Sequence, residues 1–302
     1  MKDFLSNTWK HRAHVVMALP AFLILFFIMY VPLYGLTMAF REYDLMEGLM
    51  GSPWVGFKNF DFLWKTGPTF LRMTKNTLIY YVIFTAVGTF LNVTLAVALD
   101  QFVFKKLGKT MQTMMIIPIF ISYAAVQFIV SAFLESNGII NSVFGTSYAF
   151  YSKSMVGVWP LILTIVKMWN SVGYGSVLYM SVLAGVDTSL YEAAEIDGAN
   201  RWQRIWHITL PALIPMITVM LLLSVGSVMK SDTGLFYQVT KNLGELYDTT
   251  QVVDSYVLDA IKKTTNMGYT GVASLFQSVV GLILMLVANG TVRKIAPDDA
   301  LF

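Results

Sequence analysis

The 302-residue chain has no cysteine, which excludes disulfides, thiolate metal centres and cysteine nucleophiles. Charge is also scarce. Asp, Glu, Lys and Arg make up 13% of the residues, against about a quarter in soluble domains, too little to cover a water-facing surface. There are three histidines, His11, His14 and His207, and their spacing fits no metal-ligand pattern. No basic run is interleaved with aromatics, so nothing points to nucleic acid. LGKT at 107–110 ends like a phosphate-binding loop. The glycine such a loop needs would fall on Val103, and no strand precedes it. The stretch reads as a basic turn, and the chain carries no nucleotide-hydrolysing site of its own.

What the chain does have is hydrophobicity, at 56% of residues. Apolar runs recur that are long enough to cross a bilayer, about 20 residues each. The pattern predicts an all-α, polytopic membrane protein forming one domain over 1–302, with spans near 15–40, 76–100, 111–134, 156–183, 210–230 and 272–290. The first run is longer than the apolar core of a cleavable signal, and no small-x-small site closes it. It reads as a retained span, bent near Pro20 and Pro32. In the connections, VVDSYVLDAI has the pattern of a short amphipathic helix. VGFKNFDFLW, with Phe57, Phe60, Phe62, Leu63 and Trp64, reads as an aromatic interfacial segment.

Six spans put both ends of the chain on one side. If that side is the cytoplasm, the inner segments hold Lys2, Lys10, Arg12, Lys105, Lys106, Lys109, Arg201, Arg204, Arg293 and Lys294. The outer segments hold as many basic residues spread over a much greater length. The denser side is expected inside, so both termini are expected to be cytoplasmic.

The connection 184–209 is densely polar for so oily a chain. Ser189 precedes Glu192 by three residues, a capping-box spacing that opens a helix. Gly198 is a natural stop, and Asn200 with Gln203 can cap a second helix whose Trp202, Ile205, Trp206 and Thr209 share one face. A helix lying on the inner leaflet would be basic. Asp187, Glu192, Glu195 and Asp197 make this one acidic, so anionic lipid repels it and a protein partner fits better.

The order Glu192-Ala193-Ala194, Gly198, then Ile208-Thr209-Leu210-Pro211 resembles the signature loop of the permeases of binding-protein-dependent ABC importers. VGFKNF and NTL at 76–78 are similar to the carbohydrate-uptake branch. DTGLFYQVTKNLGELYDTTQVVDSYVLDAI with SLFQSVVGLILMLVAN is similar to its oligo- and polysaccharide subgroup. The resemblance implies a type I importer permease in a bacterial cytoplasmic membrane, with 184–209 as the coupling helix. Glu192, Ala193, Ala194, Asp197 and Gly198 would then contact an ATPase. It also implies a heterodimer with a second permease, two ATPase subunits that bind the ATP and Mg, and an extracellular solute-binding protein. The chain itself would need no cofactor and would not be an enzyme.

Transport sites are expected where polar side chains interrupt apolar spans. These are Tyr123 and Gln127 in span three, Lys167, Asn170, Ser171 and Tyr174 in span four, and Ser224, Ser227 and Ser231 at span five. The resemblance adds that in maltose-importing members the positions matching Ser171 and Tyr174, and those near Ser224, Val228 and Ser231, line the sugar site. Span five here has serines where those members use asparagines, so the sugar does not transfer. Lys167 lies roughly 16 Å inside its span at about 1.5 Å per residue, so it should face water or a carboxylate. No acidic residue falls within the core of a span. The partner is therefore expected from the second permease or from an acidic sugar. A permease for another solute, such as glycerol phosphate, and an ion-coupled carrier remain alternatives. An intramembrane enzyme would need paired catalytic groups that the spans do not offer.

Overall fold

The computed structural model describes residues 12–102, 104–263 and 267–295. Lys2, Lys10, His11, Val103 and both chain ends lie outside them. Among the described residues, six helical stretches are long and apolar enough to cross a membrane: Val15–Phe40, Gly67–Asp100, Tyr123–Phe144, Lys153–Leu183, Arg201–Val225 and Met267–Lys294. Each expected span has its counterpart. The third differs from expectation, because 111–134 is not one helix. Pro118 lacks an N–H and clashes with the preceding turn. The helix Lys105–Ile116 would otherwise continue, but it gives way to a 3-10 turn at Ile117–Phe120. Ser122 then caps a new helix by accepting from the Ala125 N–H.

Two compact units are formed, 1–67 with 260–276 and 68–259 with 277–302. In the first, helix α1 (Arg12–Met29) contains Pro20, and the backbone changes to a 3-10 helix, Val31–Phe40, where Pro32 occupies the first turn. Asn59 is buried and donates to the carbonyls of Ala39 (3.1 Å) and Arg41 (2.8 Å). The aromatic segment divides its side chains. Phe62 is fully buried and stacks on Tyr269 at 5.1 Å, whereas Phe57 and Trp64 are exposed and suit the interfacial role.

The second unit is built on α2 (Gly67–Asp100), α3 (Lys105–Ile116), α4 (Tyr123–Leu134), α5 (Trp159–Leu183), α6 (Thr188–Ile196), α7 (Leu210–Val225), α8 (Val253–Lys262) and the end of α9 (Met267–Ile295). Two apolar clusters hold it. Tyr80 of α2 packs with Trp159, Leu163 and Val166 of α5 and with Val126 and Val130 of α4. Ala96 and Val97 of α2 pack with Tyr179 and Leu183 of α5 and with Leu213 of α7. Early residues of α2 thus meet early residues of α5, and late meet late, so the two helices run in the same direction. A Cβ on Gly173 would collide with the carbonyl of Met115. That bare glycine is what lets α3 approach α5 so closely.

The segment 231–271 does form the expected helix, α8, and the residues before it, 231–252, are not a loose outer connection. Its π-helical LFYQV stretch at Leu235–Val239 buries Leu235, Phe236 and Val239 in the first cluster. Asn76, buried on α2, donates to the carbonyls of Gln251 (3.0 Å) and Asp248 (3.2 Å). Tyr80 donates to Thr249 at 2.9 Å, and Arg72 pairs with Asp248 at 2.6 Å. A five-residue, mostly apolar stretch is too short to span a bilayer but enough to insert between helices, and this carries the acidic residues beside it inward.

Candidate functional site

Lys167, Asn170, Ser171 and Tyr174 fall at i, i+3, i+4 and i+7 of α5 and so share one face. Asn170 is buried. It donates to the Pro118 carbonyl (2.8 Å) at the break between α3 and α4 and accepts from the Tyr123 hydroxyl at 3.3 Å. The Tyr123 ring lies against Gly234, where a Cβ would crowd it, and Gln127 is half-buried one turn further along α4. Tyr174 is exposed, leaving its ring face open. The break at Pro118 is what delivers a backbone acceptor to Asn170 at this depth.

Lys167 has a partner in its own chain. Its Nζ lies 2.8 Å from the Asp232 carboxylate, with each side chain about a quarter exposed. The expectation that a second permease or the cargo must supply the carboxylate is therefore corrected. Asp232 belongs to the segment that the LFYQV stretch pulls inward, so a residue placed in an outer connection reaches the middle of α5.

The serines divide. Ser171 bonds back to the Lys167 carbonyl (2.8 Å) and Ser227 to that of Ser224 (2.9 Å), the ordinary behaviour of hydroxyls in helices. Ser224 also meets the Tyr81 hydroxyl at 2.9 Å, which joins α7 to α2. The Ser231 N–H donates to Asp254, and its hydroxyl is buried beside the same carboxylate. Asp254 also accepts from Gln277 (3.0 Å). Burial pushes the Asp254 carboxyl above the ordinary range, opposed by its hydrogen bonds from Ser231 and Gln277 and by the charge of Lys230. The residues predicted from sequence thus form two groups, one around α5 and Asp232, the other around the end of α7. Sequence reasoning missed Asp232, Asp254, Gln277 and Tyr81. The only hint of the first two was the short apolar runs beside them.

Below Tyr81, a groove of about 1150 Å³ runs along α2 and α7 to Arg201, Trp202 and Trp206 of the polar connection. That connection is tied together by its own hydrogen bonds. Asp187, not Ser189, caps α6, accepting from the Ser189 N–H at 2.9 Å. This bond holds the Asp187 carboxyl below its ordinary value. Residue 187 takes the cap because its extended backbone aims the carboxylate at the first turn. Helix α6 ends at Gly198, whose φ of +79 is left-handed. Ala199 N–H bonds to Ala194 O (2.8 Å) and Gly198 N–H to Glu195 O (3.1 Å), the paired closure glycine permits. Asn200 and Gln203 form the expected capping box. Arg204 bridges back to Glu195 at 2.8 Å, and the Tyr191 hydroxyl meets that of Thr209 at 3.0 Å. Arg201 reaches the Gln101 carbonyl at the end of α2. Glu192, Ala193, Asp197 and Gly198 are exposed and Ala194 half-buried, with Leu190 and Ile196 also uncovered. Trp202 and Trp206 are exposed too, while Thr209 of the same expected face is buried.

A family model described as "Binding-protein-dependent transport system inner membrane component" matches residues 2–297. The chain is 31% identical over 301 residues to the "Polygalacturonan/rhamnogalacturonan transport system permease protein YteP" of Bacillus subtilis, covering 98% of this chain and 92% of that one. It is 32% identical over 287 residues to "Protein LplB" of the same organism, covering 92% and 88%. Among solved structures it resembles a chain of a bacterial ABC transporter involved in the import of the acidic polysaccharide alginate. The TM-score is 0.85 at 27% identity, with 97% of this chain and 99% of that one covered. A second structure shows the alginate transporter in complex with an alginate pentasaccharide-bound periplasmic protein. It gives a TM-score of 0.82 at 27% identity over 96% and 97%.

Proposed function

The chain belongs to the binding-protein-dependent transport system inner membrane components, and from that premise we propose that it imports acidic oligosaccharides released from uronate polymers. It is a multi-pass membrane protein with the fold of a type I ABC importer permease, and its relatives are permeases for sugars. The acidic cargo rests on one observation. Two matches that cover more than nine-tenths of both chains name polygalacturonan/rhamnogalacturonan and alginate, whereas a less completely covered relative names lactose. An unpaired Lys167 no longer supports it, since Asp232 neutralises that charge.

In this reading the chain forms half of a path closed by a second permease. The polar face of α5, the Tyr123 hydroxyl and the serines at the end of α7 present hydroxyls, an amide and an aromatic face to a sugar. A solute-binding protein delivers the cargo from outside, and two ATPase subunits hold the ATP and Mg. The capped helix α6, acidic and exposed with Leu190 and Ile196 open, supports an ATPase as the partner of Glu192, Ala193, Ala194, Asp197 and Gly198. A push on α6 would pass to α7 through Tyr191–Thr209 and Arg204–Glu195, and to α2 through Arg201–Gln101. Rocking these helices together would change which end of the path is open.

The test is ATP hydrolysis by the complete complex in proteoliposomes, with its binding protein and oligogalacturonides of defined length. Stimulation that requires both is expected. A complex stimulated by neutral oligosaccharides and not by acidic ones overturns the cargo class.

A further inference from the structure

Irregular backbone close to the membrane survives only where its polar groups are satisfied within the protein. After Gly226, which ends α7, the chain is non-helical as far as residue 232. The carbonyl of Met229 accepts from Gln277 Nε2 at 2.5 Å. The N–H of Ser231 donates to the Asp254 carboxylate, and Gln277 ties that carboxylate at 3.0 Å. Lys230 lies between them, and its own N–H donates to Ser227 O at 2.8 Å. Both peptide units around Lys230 are therefore fixed by side chains from α8 and α9.

Its side chain is treated differently. Lys230 is exposed, and among the described residues no carboxylate stands at ion-pair distance from it. Asp254, whose field reaches it, has its two oxygens engaged by Ser231 and Gln277. The contrast with Lys167, whose charge is met by Asp232 at 2.8 Å, is direct. Four residues around Ser231 thus build a rigid mount for one open ammonium, set between Ser227 and Ser231.

We propose that Lys230 is a specificity-determining residue that pairs with a uronate carboxylate of the cargo, and that Asp254 and Gln277 are its positioning residues. The proposal rests on the acidic-cargo reading above. A carboxylate arriving here gains a charge-assisted hydrogen bond. The fixed backbone lowers the ordering cost of making it, since only the side chain has to settle. A methyl-esterified sugar of the same length loses that bond and keeps its hydroxyl contacts.

The experiment compares wild type, Lys230→Gln and Lys230→Arg in the reconstituted complex. Each is given free and fully methyl-esterified oligogalacturonides of one length, with the same binding protein throughout. Any preference of the binding protein is common to all arms and cancels. Lys230→Gln is expected to raise the half-saturating concentration of the free acid roughly tenfold, the loss of one hydrogen bond to a charged group. It should leave the ester unchanged, and Lys230→Arg should restore the acid. An equal change for acid and ester, or none for either, overturns the role of Lys230 and leaves the acidic-cargo reading standing. A wild-type complex that takes the ester and refuses the acid overturns both.

Discussion

Lys167 and Asp232 form an ion pair in which each side chain keeps about a quarter of its exposure. Removing one partner leaves the other charge partly desolvated and unmet, which costs more than removing both. Lys167→Met and Asp232→Asn are each expected to destabilise the protein by about 1–3 kcal/mol. The double variant should lose less than their sum, because the two changes share one interaction. Thermal unfolding of the purified protein in detergent reads the difference. Additive losses would mean that the pair contributes nothing as a pair. Asn170 sits on the same face, but its amide is committed to Pro118 and Tyr123. Substituting it should disturb the α3–α4 break as well as any sugar contact.

Among the elements, the polar connection was the most legible from sequence, because its determinants are local. Gly198, Asn200 and Gln203 lie within a few residues of the groups they satisfy, and all three act as their spacing predicts. Only the first cap shifted, from Ser189 to Asp187. A depressed carboxyl keeps its contribution above the ordinary carboxylate range and loses it as pH falls through the lowered value. The Asp187 cap is therefore constant near neutrality. The Lys167 partner was not legible, since Asp232 lies 65 residues away in sequence and only packing of Leu235 and Phe236 brings it near. Gln277 and Met229 are 48 apart and equally hidden. The broken third span was half legible, as Pro118 was visible but the use of its carbonyl as the acceptor for Asn170 was not. At this scale the coupling role is testable. Glu192→Lys reverses an exposed charge and should leave folding intact. Gly198→Pro removes the N–H that closes α6 and forbids its positive φ. Both are expected to abolish most of the ATPase stimulation by loaded binding protein, measured in proteoliposomes at matched reconstitution. Wild-type stimulation in both would reject α6 as the coupling element.

For the whole molecule, the decisive feature is that α2 and α5 run in the same direction, which follows from their two shared clusters. Ser142 lies before α5, and Ser189 lies after it, in α6. One crossing by α5 therefore puts these two exposed serines on opposite faces of the membrane, whichever way the helix points. The expected direction rests on charge: basic residues are denser in the segments that share a side with α6. The acidic, uncovered surface of α6 also suits a cytoplasmic protein better than a leaflet of anionic lipid. Because the chain has no cysteine, single cysteines at these serines can be read without background. Ser142→Cys is expected to react with a membrane-impermeant maleimide in intact cells. Ser189→Cys should react only after permeabilisation. The reverse pattern would invert the orientation and reject a cytoplasmic partner for α6. Labelling of both in intact cells would mean that α5 does not cross at all, and the parallel pairing of α2 with α5 would then need another explanation.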